Sequence, residues 1–217
     1  MKRRDFSLTC GSVLAGASGL TLPAAQAQGA KPVAGADYLV LDKRAAVEAP
    51  AGKIEVVEFF GYWCPHCNAF EPTLQEWLKR LPKDVSFRRV PVLFAPEHAL
   101  QQRLYFALEA MGLLDKLHAK VFAAIHVERV SLKTAEGIAD WVAKQGVDKA
   151  KFNEQFNSFS VANKASRAAP QQNAYSVEGV PALGVAGRYY TDGSTAKSMV
   201  RALQVVDHLI AETRAGR

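Results

Sequence analysis

The chain has 217 residues, of which 27 are basic and 21 acidic, and its formal net charge is +6. This length suits one large domain, or one domain with an insertion, and is enough to bury a sizeable core. The basic residues are spread along the chain, which argues against nucleic acid as a partner.

Residues 1–27 have the composition of a cleavable export signal. A basic start, Lys2 to Arg4, precedes an apolar stretch from Leu8 to Leu22 and the small-residue pattern Ala25-Gln26-Ala27. The apolar stretch spans about 15 residues, fewer than the roughly 20 that a membrane-spanning helix needs. We expect a soluble exported protein that has lost Cys10 with the signal. Secretory and twin-arginine export both remain open, because Arg3 and Arg4 fit either.

Residues 28–95 begin with a Pro/Gly-rich arm and then predict a strand, a helix and a second strand. "KIEVVEFF", Lys53 to Phe60, is apolar on both faces, as expected of a central strand. Asn68 to Leu81 has helical apolar spacing that continues past Pro72, which should kink the helix rather than end it. With the strand Val85 to Phe94, these elements form a right-handed βαβ unit.

Residues 96–166 show four consecutive helical patterns separated by breakers such as Gly112 and Gly146. They predict an all-helical insertion. Residues 167–217 then supply a helix leading back, a hairpin over Val180 to Gly193 that turns at Ala186-Gly187, and a final amphipathic helix. The predicted class is α/β with an inserted all-helical domain.

Between the first strand and the first helix lies Cys64-Pro65-His66-Cys67. A structural zinc site needs four ligands, and the exported chain has no further cysteine. The other histidines show no close ligand spacing except His118 and His126, which are eight residues apart. A disulfide closing a four-residue loop would stabilise the fold by only about 2 kcal/mol. We therefore expect neither a metal site nor a structural staple.

A redox centre is the remaining interpretation of this motif. Two cysteines at i and i+3 on a first helical turn are within disulfide range, and the unpaired N–H groups there stabilise a thiolate. Cys64 is then the nucleophile and Cys67 the resolving thiol. Pro65 suits the first helical turn, where a backbone N–H would have no partner. His66 can add an N–H or a positive charge. The alternative for His66 is an exposed turn residue without a role.

Glu58 occupies an unusual place for an acid. Counted by twos, it shares a strand face with Ile54, Val56 and Phe60. A buried carboxylate has a raised pKa and can exchange a proton with Cys67. A solvated residue near the strand end is the alternative.

"EFFGYWCPHCNAFEP" and "EGVPALGVAGRYY" together resemble the periplasmic disulfide oxidases of the DsbA type. These are thioredoxin-fold proteins with a helical domain inserted after the βαβ start. The resemblance implies a cis Val180-Pro181 bond against Cys64, with Gly179 and the Val180 backbone open to an extended peptide. It also favours a functional Glu58, because family members have an acid six residues before the first cysteine.

The implied activity is donation of the Cys64-Cys67 disulfide to newly exported proteins in the periplasm. The implied partners are those reduced, unfolded proteins and a quinone-linked membrane oxidase of the DsbB type; we expect a monomer without cofactor. A disulfide isomerase would add a dimerisation domain, for which the arm from Gln28 to Asp37 leaves no room. A reductase would differ only in reduction potential. A peptide-binding chaperone with incidental cysteines is an alternative from another class.

Overall fold

A five-stranded mixed sheet organises residues 30–216, the part of the chain that this computed structural model describes. The predicted export signal and Cys10 lie outside that part. The strand order is β1-β5-β4-β2-β3, with β2 and β3 parallel and the other neighbours antiparallel. The strands are β1 Leu39–Val40, β2 Ile54–Phe60, β3 Val85–Pro91, β4 Ala182–Val185 and β5 Tyr189–Asp192.

Seven α-helices accompany the sheet within the described residues. Helix α1 connects β2 to β3, helices α2 to α6 follow each other between β3 and β4, and α7 follows β5. None of these helices is long and apolar enough to cross a membrane. The helices are α1 Pro65–Leu78, α2 Ala99–Ala110, α3 Leu114–His126, α4 Ala135–Lys144, α5 Lys149–Phe156, α6 Phe159–Ala174 and α7 Met199–Ala215.

The predicted βαβ start is confirmed. All seven residues of β2 are buried, as expected of a central strand covered on both faces. Helix α1 begins at Pro65, as expected of a cysteine pair on its first turn, and the apolar spacing begins three residues later at Asn68. The helix continues past Pro72, as expected, and ends at Leu78.

The two faces of the sheet bury different cores. Ile54 and Val56 belong to a cluster with Leu74 of α1 and Val206 of α7. Val57 and Phe59 belong to the second cluster, which extends into the helical insertion. Strand β2 therefore contributes alternate residues to two cores as far as Phe59. Phe60, expected on the face of Ile54 and Val56, belongs to the second cluster instead, and β2 ends there, shortly before the cysteine motif.

The predicted hairpin is also confirmed. Strands β4 and β5 pair across three residues, 186–188. Within them the Arg188 N–H donates to the Val185 carbonyl oxygen at 2.9 Å around Ala186 and Gly187, whose φ angles are 54° and 68°. Positive φ at both turn residues is typical of a type I′ turn. Strand β1, which was not predicted, directly follows the N-terminal arm and pairs with β5; its two residues are too few for an alternating pattern.

The helical insertion follows β3 as predicted. Helix α6 is continuous through residues 166 and 167, where the sequence interpretation placed the end of the insertion. That division therefore falls inside one helix, and the separate helix expected after residue 166 is the second half of α6.

Candidate active site

Cys64 and Cys67 lie at the N-terminus of helix α1, at the edge of the sheet where β2 ends. Cys64 is the N-cap residue, and its Sγ accepts a hydrogen bond from the Cys67 N–H at 3.3 Å. Pro65 is the first helical residue, where a missing N–H costs nothing. Cys64 is 3% exposed and Cys67 1%, whereas Pro65 and His66 are exposed. Both cysteines are free thiols.

The site stabilises the thiolate of Cys64. The hydrogen bond with the Cys67 side chain contributes most to lowering the pKa of Cys64, to about 6, although burial opposes this. The backbone N–H groups of Cys67 and His66 and the charge of His66 lower it further. A large fraction of Cys64 is therefore ionised at neutral pH.

The pKa of Cys67 is shifted in the opposite direction, upwards. Burial is the largest cause that raises the pKa of the Cys67 thiol, and the neighbouring Cys64 and Glu58 raise it further. Cys67 therefore stays protonated when Cys64 is ionised. The two sulfur atoms of one motif are chemically unequal, as the sequence predicts.

The Val180-Pro181 bond is cis and lies against Cys64, as the resemblance implies. The Val180 carbonyl oxygen accepts the Cys64 S–H at 3.3 Å. A surface cleft of about 290 Å³ opens here, and its lining consists of His66, Gly179–Pro181, Asp192–Ser194 and Met199. Sequence reasoning missed the part of this lining beyond Pro181, although Asp192 and Gly193 lie at the end of the predicted hairpin.

Glu58 is buried beneath the motif, and the solvated alternative is wrong. Its side chain receives a hydrogen bond from Arg89 Nε at 2.8 Å, and Arg89 Nη2 also donates to Glu71 at 3.0 Å. Burial raises the pKa of Glu58 to about 8, although Arg89 opposes the shift. Glu58 is therefore mostly protonated at neutral pH. Its contribution to the chemistry stays a prediction.

Comparison with known proteins identifies the family. The model of the DSBA-like thioredoxin domain matches residues 55–204. The chain is 41% identical over 215 residues to the thiol:disulfide interchange protein DsbA of Bordetella pertussis, covering 99% of this chain and 100% of that protein. The chain belongs to the DSBA-like thioredoxin family. It is a thiol:disulfide oxidoreductase whose Cys-x-x-Cys pair is Cys64 and Cys67.

Solved structures of family members share the fold. The crystal structure of Pseudomonas aeruginosa DsbA is 42% identical and superposes with a TM-score of 0.81, covering 85% of this chain and 96% of that chain. The oxidoreductase NmDsbA1 of Neisseria meningitidis is 27% identical, with a TM-score of 0.75 over 87% of this chain and 97% of that chain. The predicted thioredoxin fold with an inserted helical domain is therefore confirmed.

A buried polar network that sequence reasoning missed runs from Glu58 towards the insertion. Beyond Arg89, the Glu71 carboxylate lies 3.6 Å from His118 Nε2, and His118 Nδ1 lies 2.8 Å from the Tyr62 hydroxyl. Burial alone would raise the pKa of Glu71, but His118 and Arg89 lower it to about 2. Burial lowers the pKa of His118. The spacing of His118 and His126 was the available signal, considered only for metal binding.

An aromatic stack covers the motif on another side. The Trp63 indole lies parallel to the His98 ring at 4.1 Å, and the edge of Phe94 approaches Trp63 at 5.8 Å. Gly61 leaves room for this arrangement, because a Cβ there would lie 2.4 Å from Trp63 Nε1. Within residues 30–216, no group of three or more His, Cys, Asp or Glu side chains could hold a metal ion.

Proposed function

We propose that this chain is a periplasmic disulfide oxidase that donates the Cys64-Cys67 disulfide to newly exported proteins. The observation that carries the proposal is the unequal placement of the two thiols. Cys64 Sγ caps helix α1 and accepts the Cys67 N–H at 3.3 Å, whereas Cys67 is 1% exposed, so the pKa of Cys64 is lowered to about 6 and that of Cys67 is raised. A stabilised Cys64 thiolate favours the reduced protein and therefore makes its disulfide a stronger oxidant.

The exchange proceeds in two steps. A substrate thiolate attacks Cys64 Sγ, the Cys64–Cys67 bond breaks, and Cys67 leaves with the electron pair and takes up a proton. A second substrate thiolate then attacks the substrate sulfur of the mixed disulfide, and Cys64 leaves as a thiolate. The substrate dithiol is oxidised to a disulfide and the enzyme disulfide is reduced. A low pKa of Cys64 makes it the better leaving group in the second step.

The cleft beside Cys64 suits an extended peptide. Gly179 and Val180 provide backbone groups at its wall, and Pro181, which has no N–H, is buried behind them. Pairing along such a backbone recognises an extended chain without selecting its sequence. In both the disulfide and the mixed disulfide Cys64 has no S–H, so the Val180 carbonyl oxygen is free to accept a peptide N–H. This arrangement supports unfolded proteins as substrates.

Glu58 and His66 complete the proposed site. The ionised fraction of Glu58, whose pKa is about 8, can take the proton that Cys67 must lose when the enzyme is reoxidised. His66 lies beside the cleft and adds positive charge near Cys64. The exchange itself involves only sulfur atoms and protons, so we expect no cofactor.

Reoxidation requires an electron acceptor outside the chain. We expect a quinone-linked membrane oxidase of the DsbB type to take the electrons, and the enzyme to work as a monomer. We further propose that residues 1–27 direct export and are removed. Residues 28–95 and 167–217 would then form the thioredoxin-like domain and residues 96–166 the inserted domain, with helix α6 shared between the two.

Oxidative refolding of a reduced model protein tests this function. We expect Cys64→Ser to abolish the catalysed formation of disulfides. With oxidised glutathione as the oxidant, Cys67→Ala should accumulate a mixed disulfide through Cys64. Equilibration with glutathione supplies the reduction potential. A potential close to that of thioredoxin would contradict the oxidase, and full activity of Cys64→Ser in vivo would support a chaperone instead.

A further inference from the structure

Two histidines of helix α3 contact opposite ends of Tyr62. The Tyr62 hydroxyl lies 2.8 Å from His118 Nδ1, and the Tyr62 carbonyl oxygen lies 2.7 Å from His126 Nε2. Helix α3 belongs to the inserted helices, whereas Tyr62 lies between β2 and α1. The insertion therefore holds the connection that leads from the sheet into the cysteine motif.

The chemistry of the partners determines which atoms donate. A carbonyl oxygen only accepts, so His126 donates its Nε2–H to Tyr62. His118 Nε2 lies 3.6 Å from a Glu71 carboxylate oxygen, which favours a proton on that nitrogen. His118 Nδ1 is then unprotonated and accepts the Tyr62 O–H. Both contacts to Tyr62 are hydrogen bonds with defined donors.

The position of Tyr62, which these two hydrogen bonds fix, affects the position of Cys64. Its side chain is buried, with its ring edge to face against Phe60 and Phe122. Directly before it, the Gly61 carbonyl accepts the Cys64 N–H at 3.0 Å. A shift of Tyr62 would therefore move the residue that caps α1, and a one-ångström shift weakens the hydrogen bonds that the cap receives.

His118 also faces helix α1 itself. Glu71 lies on α1 one turn beyond Cys67, and its carboxylate is fixed from the other side by Arg89 at 3.0 Å. Helix α3 thus approaches the segment before Cys64 through Tyr62 and the segment after Cys67 through Glu71. The two contacts bracket the cysteine pair.

We propose that His118 and His126 are positioning residues for Cys64, through which the helical insertion sets how strongly the first turn of α1 stabilises the Cys64 thiolate. This inference rests on the proposed function, because it concerns the oxidising strength of the same cysteine pair. It assigns the insertion a direct part in the redox chemistry besides its contribution to the core.

The test compares variants that remove each hydrogen bond with variants that retain it. His118→Leu and His126→Leu remove the contacts. His118→Asn retains an acceptor near the place of Nδ1, and His126→Gln retains a donor near the place of Nε2. Tyr62→Phe removes only the hydroxyl oxygen, and His208→Gln on α7 is the matched histidine control.

We expect each leucine variant to lower the equilibrium constant for oxidation of glutathione by about tenfold, as for loss of one buried hydrogen bond. A tenfold change corresponds to about 30 mV for this two-electron couple. The thiolate absorbance of Cys64 should titrate at higher pH in the same variants. The equilibrium constant and the thiolate titration should stay close to those of the unsubstituted protein in three variants: His118→Asn, His126→Gln and His208→Gln.

A merely structural role would give a different pattern. Lower melting temperatures for both redox forms, with unchanged equilibrium constants and thiolate titrations, would overturn the proposal. The proposal would also be overturned if the conservative variants changed the equilibrium constant as much as the leucine variants do. If a leucine variant does not fold, the equilibrium constant of Tyr62→Phe is the deciding measurement. An unchanged equilibrium constant in this variant overturns the role assigned to His118. Failure of the unsubstituted protein to oxidise substrates contradicts the proposed function instead.

Discussion

The carbonyl oxygen of Val180 lies 3.3 Å from Cys64 Sγ, although 116 residues separate the two in sequence. This carbonyl can accept the S–H of the thiol but offers nothing to a thiolate. The N–H of Cys67, at 3.3 Å from the same sulfur, favours the thiolate instead. Cys64 thus has one neighbour that stabilises the protonated thiol and one that stabilises the thiolate. The positive end of helix α1 adds to the second effect, so the thiolate is favoured.

This balance predicts that the reduced protein unfolds at a higher temperature than the oxidised protein at neutral pH. The folded pKa of Cys64, about 6, is below its ordinary value of 9.0. The extra stability of the reduced form is therefore complete above the ordinary pKa and is lost as pH falls through about 6. Melting curves of both forms at pH 5 and 7.5 measure the difference, which should be larger at pH 7.5. The opposite order at pH 7.5 would count against a strongly oxidising pair.

His66 should increase the oxidising strength through its charge. His66→Gln keeps the backbone N–H that lowers the pKa of Cys64 and removes the charge that also lowers it. We expect the thiolate titration of Cys64 to move to higher pH and the equilibrium constant with glutathione to fall. The change should be no more than about tenfold, because His66 is exposed and its charge is screened.

His208→Gln is again the suitable control, since His208 lies on α7 and contacts Glu212 rather than the motif. An unchanged titration in His66→Gln would assign the low pKa of Cys64 to the backbone and Cys67 alone.

Gly187 is required in the hairpin that carries the Val180-Pro181 segment. Its φ is +68°, and a Cβ there would lie 2.4 Å from the Ala45 carbonyl oxygen. Gly146 has a φ of +82° but no atom within 4 Å of such a Cβ. Gly146→Ala should therefore cost about 1–2 kcal/mol of unfolding free energy for the left-handed backbone. Gly187→Ala adds a backbone clash, so urea denaturation should show a distinctly larger loss; equal losses would mean that the hairpin relaxes freely.

The sequence predicts the parts of the site that depend on local order. Cys64 and Cys67 follow a buried strand and open a helix, so their geometry can be derived from spacing. The burial of Glu58 follows from strand alternation, but two alternatives remained until the structure placed it. The approach of Val180 to Cys64 was available only through family resemblance, because no local pattern relates residues so distant.

The polar network could not be predicted because it depends on register and packing between distant segments. Glu58 meets Arg89 because β2 and β3 pair at that register. Tyr62 meets His118 because helix α3 lies beside α1, and helical spacing alone does not state which helices are neighbours. An aromatic residue such as Tyr62 is typical of core packing, and its type alone gives no sign of its hydrogen bonds.

Glu58 should govern the pH dependence of both stability and reoxidation. Its folded pKa, about 8, lies above its ordinary value of 4.5. The stabilising proton is fully present below the ordinary pKa and is lost as pH rises through about 8, so the free energy of unfolding should fall over that window. Glu58→Gln, which resembles the protonated acid, should make this fall shallower. Denaturant unfolding of the oxidised protein from pH 5 to 9 measures it.

The same variant tests proton transfer at Cys67. Reoxidation by oxidised glutathione requires Cys67 to lose its proton, and glutamine cannot accept it. We expect the rate near pH 8 to fall by about tenfold or more. A faster rate would instead mean that Glu58 acts only through its charge, which raises the pKa of Cys67.

Glu55→Gln is the matched control, because Glu55 is also buried on β2 but pairs with Arg88 on the opposite face at 2.8 Å. It has the same chemistry of a buried carboxylate with an arginine, without access to the cysteines. It should lower stability and leave the reoxidation rate unchanged. If both variants slow reoxidation equally, the slower rate results from a general disturbance of strand β2, and Glu58 does not accept the Cys67 proton.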